Sequence, residues 1–269
     1  MKNMQWGVVA AAACAVLVLG CEDKKQSTQL APSASSLAPS APPPSSMVLK
    51  LAIDPKSTTS IDMPAPKEHI KASTDAAAGH LDVDVMNLAS SRGEVKIDLS
   101  TLTTKTFGDA EKDKTQTKHA RTWLEVEDGE DGKLPEETKA ANRYAVFAIR
   151  EIKNPSATDL TKVPAAKDGE DEVRTVTMTT AGEILIHGHK VARELEVEAQ
   201  FRYAAGAAAA KPKALVVKSK TPLRVTLAEH DVKPRDGFGK IAKGAFHLLG
   251  TKVADTADIT LELRASPQS

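Results

Sequence analysis

The sequence predicts an all-β protein, an antiparallel β-barrel or tightly curled sandwich of about eight strands with one or two short helices. The dominant hydrophobic period is two, which is typical of strands with one buried face. Turn-forming stretches separate consecutive apolar runs, as in a meander of hairpins. A sheet of this length would expose unpaired edges unless it closed on itself, so a barrel is favoured.

The amino terminus has the features of a secreted lipoprotein. Lys2 precedes an apolar run at 6–20 that is shorter than the about 20 residues of a spanning helix, so residues 1–20 are expected to be a cleaved signal peptide. The run ends in Val-Leu-Gly-Cys, and Cys21 is therefore the expected lipid-anchor residue. This predicts a protein of the bacterial cell envelope that faces the periplasm and is bound to a membrane. An ordinary signal peptide followed by an incidental cysteine is the alternative.

The residues after the anchor are expected to be a tether. Residues 21–46 are rich in serine, proline and alanine and cannot bury enough apolar surface to fold. The barrel domain is therefore assigned to residues 47–269. Both cysteines, Cys14 and Cys21, precede it, so the folded region has no disulfide and no thiolate metal site.

Within this domain, apolar and polar residues alternate clearly at 94–99 and 194–201. The pattern recurs at 81–85, 223–227 and 259–263, with further apolar runs at 47–53, 144–152 and 173–180. Turn residues at 91–93, 181–182 and 187–189 separate such runs, which indicates antiparallel pairing.

Four segments depart from the strand pattern. The charged segment 109–126 is expected to be a helix or an excursion between strands, and 238–249 an amphipathic helix. Both are expected to pack over an open end of the barrel. The acidic stretches 127–132 and 168–172 lack the ligand spacing of an EF-hand, so they are interpreted as solvated loops.

Composition and motifs exclude several classes of function. Lysine plus arginine and aspartate plus glutamate each number 36, and aromatic residues are 3% of the chain, so no nucleic-acid partner is expected. The chain has no Gly-x-Ser-x-Gly elbow, no glycine-rich phosphate loop and no His-Glu-x-x-His pair. We therefore predict no enzyme activity, no catalytic residue and no cofactor, although carboxylates from distant strands could still converge as a hydrolase site.

Two histidines pose a separate question. His187 and His189 are two residues apart, a spacing that places side chains on one strand face and suits zinc. Gly188 between them predicts a tight turn that splays the two rings apart. They are interpreted as solvent-facing hairpin residues, and no metal site is expected.

The order of the pieces resembles the YceI-like domain family. The resemblance rests on an early strand pair, the stretch GEVKIDLSTLTT at 93–104, the charged helical excursion, and GEILIHG at 182–188. His189 departs from the family pattern, which has an apolar residue there. The resemblance implies a lipocalin-like barrel outside the cytoplasm that encloses a long apolar cavity and binds a polyisoprenoid or related lipid, without catalytic residues.

The partner expected from this reasoning is an isoprenoid or other apolar lipid. An eight-stranded barrel either fills with side chains or holds one small ligand. The alternative function is a structural or protein-interaction lipoprotein with a solid barrel core. No oligomeric state is predicted.

The candidate cavity-lining residues are the inward positions of the strand pattern: Val95, Ile97, Phe147, Ile184, Ile186, Leu195, Val197, Val225, Leu227, Leu261 and Leu263.

Overall fold

The structure is a computed structural model, and it describes residues 47–64, 69–129, 132–207, 211–233 and 254–268. The predicted signal peptide, the tether and the predicted helix at 238–249 lie outside these residues and remain predictions.

Thirteen strands and two α-helices make up the described part of the chain. The helices are α1 (Ala110–Trp123) and α2 (Glu136–Asn142). None of the described helices is long and apolar enough to cross a bilayer. In chain order the strands are β1 (Val48–Ile53), β2 (Thr58–Pro64), β3 (His69–Thr74), β4 (Ala77–Asp84), β5 (Arg92–Asp98), β6 (Thr103–Thr104), β7 (Tyr144–Lys153), β8 (Ala166–Asp168), β9 (Asp171–Ile186), β10 (His189–Ala204), β11 (Ala214–Ser219), β12 (Leu223–Thr226) and β13 (Thr256–Pro267).

Eight of these strands form a closed ring in the order β1-β4-β5-β7-β9-β10-β11-β13. The ring closes where β1 pairs with β13, with Leu51 opposite Pro267 and Ile53 opposite Ala265. Every pairing in the ring is antiparallel. The predicted all-β antiparallel barrel is therefore confirmed.

Strand β13 changes neighbours along its length, and this widens one end of the barrel. Its residues 262–267 pair with β11 and β1, which belong to the ring. Its residues 256–262 pair instead with β12 and β2, and β2 continues the sheet through β3 to β6. The extra strands extend the wall at the end of the barrel where β13 begins.

The other end of the barrel is solid. Alternate residues of β10 point inward there, including Ala199, Phe201 and Tyr203, each no more than 3% exposed. Leu51 and Leu160 pack into the same cluster, and Leu160 is held by a 2.9 Å bond from its backbone N–H to the carbonyl oxygen of Val85. This cluster, the solid core, stabilises the closed barrel through burial of aliphatic and aromatic surface.

Two details differ from the sequence prediction. The run 223–227 ends as a strand at Thr226, and Leu227 begins a 3₁₀ turn. The acidic stretch 168–172 is exposed at 168–170, as expected of a solvated loop, but it is also paired: its turn at 169–170 joins the two strands of the β8–β9 hairpin. Asp171 there accepts hydrogen bonds from Arg202 at 3.1 Å and from Lys213 at 2.6 Å, so neighbouring cations neutralise the acidic turn.

Candidate ligand-binding cavity

A cavity of about 610 Å³ lies inside the wide end of the barrel. On β9, Ile184 and Ile186 line this cavity, whereas Val176 lies in the solid core. The two features therefore occupy opposite ends of the same strands. The volume falls within the range of about 300–1,000 Å³ that is typical of small-molecule sites.

The wall of the cavity is almost entirely apolar. Side chains from β2, β3, β5, β7, β9, β12 and β13 face it. The strand register places Val95, Phe147 and Ile184 side by side across β5, β7 and β9, which forms one band of this wall. Phe147 is the only phenylalanine, tyrosine or tryptophan that the described strands contribute to the wall. The other strand residues of the wall are smaller, mostly aliphatic side chains, and they do not fill the interior.

Helix α1 covers the cavity and contributes a mostly polar face. Lys112, Gln116, His119 and Trp123 line the cavity and are three or four residues apart, so they share one side of the helix. The helix begins at this point because Asp109 caps it, accepting hydrogen bonds from two backbone N–H groups at 3.1 Å.

Polar bonds tie the first half of α1 to the barrel. Thr104 donates its hydroxyl to the carbonyl oxygen of Asp113 at 2.8 Å. The carboxylate of Asp113 accepts the backbone N–H groups of Thr106 and Phe107, each at 2.9 Å. Phe107 lines the cavity and is 46% exposed, so an apolar ring stands at the cavity mouth.

A second attachment follows the end of α1. Glu125, in the left-handed conformation at φ 55°, places Oε2 2.7 Å from Nε2 of His187 on the β9–β10 hairpin. Asn142 Nδ2 donates to the same carboxylate oxygen at 3.2 Å. The side chains of Glu125 and His187 are only 16% and 7% exposed. The cover helix is thus anchored to the barrel at both of its ends.

Two buried polar side chains stand out on the apolar wall. His230 is fully buried, and its Nδ1 lies 3.1 Å from the carbonyl oxygen of His189. Burial lowers the pKa of His230 below its ordinary value, and the carbonyls of His189 and Ile186 oppose this shift only in part. Nε2 of His230 and Oγ1 of Thr59 are buried and form no hydrogen bond within the described residues.

A carboxylate–guanidinium pair shapes the rim beside Leu99. Asp98 Oδ2 accepts from Arg143 Nε at 2.9 Å and from Nη2 at 2.6 Å, while Oδ1 caps the following turn by accepting from the Ser100 backbone N–H at 3.0 Å. Burial raises the pKa of Asp98, but the bonds from Arg143 and Ser100 outweigh it and hold that pKa below its usual value.

Comparison with known proteins gives structural neighbours only. No family model and no curated protein matches the chain. A polyisoprenoid-binding domain from Saccharophagus degradans, implicated in plant cell wall breakdown, is 12% identical with a TM-score of 0.47, covering 82% of this chain and 99% of that one. BcnA from Burkholderia cenocepacia is 15% identical with a TM-score of 0.47, covering 80% and 99% respectively.

The structure places the predicted lining residues in two groups. Three of the eleven do not line the cavity. Leu195 and Val197 pack in an apolar cluster that adjoins the cavity wall, and Leu263 packs in a small cluster with Val95 and Ile97. They face the interior without lining the cavity, because they sit deeper along their strands than the wide end. The other eight line the cavity: Val95, Ile97, Phe147, Ile184, Ile186, Val225, Leu227 and Leu261.

The prediction of solvent-facing residues is confirmed for His189, which is exposed, but it is wrong for His187, and the two rings are not splayed apart. His187 has only 7% of its side chain exposed, and the ring centroids of His187 and His189 are 6.4 Å apart at an interplanar angle of 23°. His187 and Gly188 form a two-residue turn with positive φ at both positions. This turn leaves the two imidazoles facing each other.

Sequence reasoning missed the part of the site that comes from outside the strand pattern. In the sequence, α1 is visible only as a charged segment, without any sign that one of its faces meets a cavity. Strands β2 and β3 are too short and too polar to be recognised from hydrophobic alternation. His230 was noted only as one of several scattered histidines. The buried partners of these residues lie far away in the chain, so no local spacing could have pointed to them.

Proposed function

We propose that this protein is a non-catalytic, YceI-like lipid-binding lipoprotein of the bacterial envelope, whose barrel sequesters an isoprenoid-type lipid. The apolar cavity of about 610 Å³ at the wide end carries the proposal. An aliphatic wall of this kind favours a hydrocarbon chain, because each methylene removed from water contributes about 0.8 kcal/mol.

The distribution of polar groups supports an amphiphilic ligand. The strand wall offers almost no hydrogen-bonding groups, while the α1 side presents Gln116 and His119. A hydrocarbon tail would therefore lie between the strands, and a polar end group would lie beneath α1 or reach His230 and Thr59.

Location and family are part of the same proposal and rest on the sequence. The run ending at Cys21 supports a lipid anchor, and residues 22–46 would hold the barrel away from the membrane. The stretches at 93–104 and 182–188 support membership of the YceI-like family. In such an arrangement the tethered barrel would take up its lipid at the bilayer surface and shield it from water.

The second candidate is a structural or protein-interaction lipoprotein with a solid barrel core. The described residues do include a solid core, but it occupies one end of the barrel only. A scaffold has no use for an apolar cavity at the other end, so the cavity favours the carrier.

The first experiment identifies what the purified protein contains. The full-length chain is produced in a bacterial host, purified in a short-chain detergent and analysed by native mass spectrometry and by organic extraction. We expect one lipid per chain, with fragments spaced by the C₅H₈ unit of an isoprenoid. A folded barrel that carries no lipid and takes up no added polyprenol would contradict the proposal.

A matched pair of substitutions tests whether the lipid occupies the cavity. Ala145 lines the cavity, whereas Ala78 on β4 is exposed. Ala145→Phe adds a ring to the interior and is expected to weaken polyprenol binding about tenfold or more, which is a loss of about 1.4 kcal/mol. Ala78→Phe should bind normally. Equal binding by both variants would place the lipid elsewhere on the protein.

A further inference from the structure

We propose that the protein binds a divalent transition-metal cation of the Zn²⁺ type at the barrel rim, through His187, His189 and Asp231. One possible ligand atom from each of these residues lies within 4.8 Å of the others. Two imidazoles and one carboxylate suit Zn²⁺ and leave a fourth position for water. This inference does not depend on the proposed lipid ligand.

The two histidines are brought together by the hairpin turn. His187 has φ 49° and Gly188 has φ 77°, and Ile186 pairs directly with His189 across the turn. Side chains at His187 and His189 therefore emerge from the same tight loop, with ring centroids 6.4 Å apart. A cation could bridge the two rings with a small adjustment of side-chain torsions.

The third ligand comes from a separate element that is fixed to the hairpin. A 3₁₀ turn, Leu227–His230, ends at Asp231, which has the left-handed conformation at φ 49° and ψ 27°. Nδ1 of His230 lies 3.1 Å from the His189 carbonyl oxygen, and this contact joins the turn to the hairpin without involving the ring nitrogens of His187. The carboxylate of Asp231 is thereby held beside the two imidazoles before any ion binds.

Glu125 provides the outer partner that a metal-binding histidine usually has. Its Oε2 lies 2.7 Å from Nε2 of His187 and also accepts from Asn142 at 3.2 Å. A neutral imidazole carries one proton, and Glu125 favours that proton on Nε2. Nδ1 of His187 faces the carbonyl oxygen of His230 at 3.1 Å, so both ring nitrogens have acceptor partners, and an ion must displace that carbonyl to reach the Nδ1 lone pair. A carboxylate in this position fixes the orientation of the ring.

One cation already occupies part of the site. Lys233 donates to Asp231 Oδ1 at 2.7 Å, and the two side chains are 54% and 47% exposed. A metal ion must displace this ammonium group, which can swing into solvent because the ion pair is exposed. Lys233→Ala is therefore expected to strengthen metal binding.

The test measures zinc binding by the full-length, tag-free chain after removal of metals with a chelator. Calorimetric titration with ZnCl₂ is expected to show one equivalent bound. His189→Ala and Asp231→Ala should each abolish that equivalent, and Glu125→Gln should weaken it about tenfold or more. His80→Ala, at an exposed histidine on β4, is the matched control and should bind like the unaltered chain.

Cobalt provides a second readout. Co²⁺ at this site should give visible absorption bands of tetrahedral intensity that disappear in His189→Ala and Asp231→Ala. Both of these residues are exposed, and thermal melting by circular dichroism verifies that the variants fold. No saturable equivalent of zinc, or an equivalent that survives both substitutions in folded protein, would overturn the proposal.

Discussion

Asp98 links one carboxylate to the shape of the cavity rim. It ends β5, caps the turn that carries Leu99, and binds the guanidinium of Arg143 in a two-pronged contact. Leu99 and Leu102 at this turn both line the cavity. The rim therefore depends on a side chain that does not itself line the cavity.

This carboxylate gives the folded state a specific acid sensitivity. Because the pKa of Asp98 is lower in the folded chain than its ordinary value of about 3.9, its contribution is present above that pH and is lost as pH falls through the lowered pKa. Asp98→Asn should cost about 1 kcal/mol at pH 7, a figure reduced because Arg143 is half exposed, and should flatten the loss of stability below about pH 4.

Urea unfolding from pH 2.5 to 7 measures this effect. Asp75→Asn, at an exposed position, is the control and should follow the unaltered chain. Identical pH profiles for Asp98→Asn and the unaltered protein would contradict the assignment.

Gly182 allows two strands to approach closely. A Cβ atom at this position would lie 2.0 Å from the carbonyl oxygen of Ala148 on β7. The neighbouring register shift between Ile149 and Glu151 marks the same irregularity. A side chain here would force β7 and β9 apart next to Phe147 and Ile184, which line the cavity.

We therefore expect Gly182→Ala to destabilise the protein by about 3 kcal/mol. Gly188→Ala is the comparison, because a Cβ there meets open space and only the positive φ of 77° is unfavourable; it should cost about 1 kcal/mol. Thermal melting ranks the two variants, and a smaller loss for Gly182→Ala than for Gly188→Ala would contradict this account.

At the scale of elements, we expect α1 to be the part of the site that opens. It covers an apolar cavity with a mostly polar face. Polar bonds hold it there, from Thr104 and Asp113 at its start and from Glu125 and His187 after its end. Elements held in this way lie at the less stable end of a folded protein.

Loosening the first attachment should speed ligand exchange. Asp113→Ala removes the acceptor of the Thr106 and Phe107 backbone N–H groups. We expect the dissociation rate of a bound polyprenol to rise several-fold, with a loss of stability of about 1 kcal/mol. Stopped-flow transfer to acceptor vesicles measures the rate. Lys114→Ala, on the exposed side of α1, is the control and should leave it unchanged. Equal rates for the two variants would argue against opening at α1.

At the scale of the whole molecule, the barrel divides stability and binding between its two ends. Phe201, Leu51 and Leu160 fill one end to near-complete burial. The other end widens because residues 256–262 of β13 pair with β2 and β12 instead of with the ring strands β1 and β11. The solid core supplies the buried apolar surface that stabilises the barrel, so side chains at the other end need not fill the interior.

Truncation in the solid core should therefore separate the two properties. Phe201→Ala is expected to cost about 3–5 kcal/mol, since the ring is 1% exposed and closely packed. Polyprenol affinity should stay within about twofold under conditions where the variant is folded. Denaturant unfolding and ligand titration measure the two quantities. A loss of binding comparable with that of Ala145→Phe would show that the ends are coupled.

The sequence by itself determined the barrel and most of its inward face. Alternation in β9 and β10 depends only on successive side chains pointing to opposite faces, so Ile184, Ile186, Leu195 and Val197 were predictable as interior residues. A charge pattern with no strand alternation likewise predicted a helix or an excursion between strands at 109–126, where α1 lies. These features are local: they depend only on the spacing of apolar and charged residues within one segment, which the sequence gives directly.

Only the tertiary structure decided which interior residues line a cavity and which fill a core. Leu195 and Leu263 have the same alternation as Ile184, yet they lie deeper along the barrel. The meeting of His187 and His189 with Asp231, more than forty positions along the chain, depends on how a hairpin turn packs against a 3₁₀ turn. Depth along a strand and contact between distant turns are set by register and closure, which no single stretch of sequence encodes.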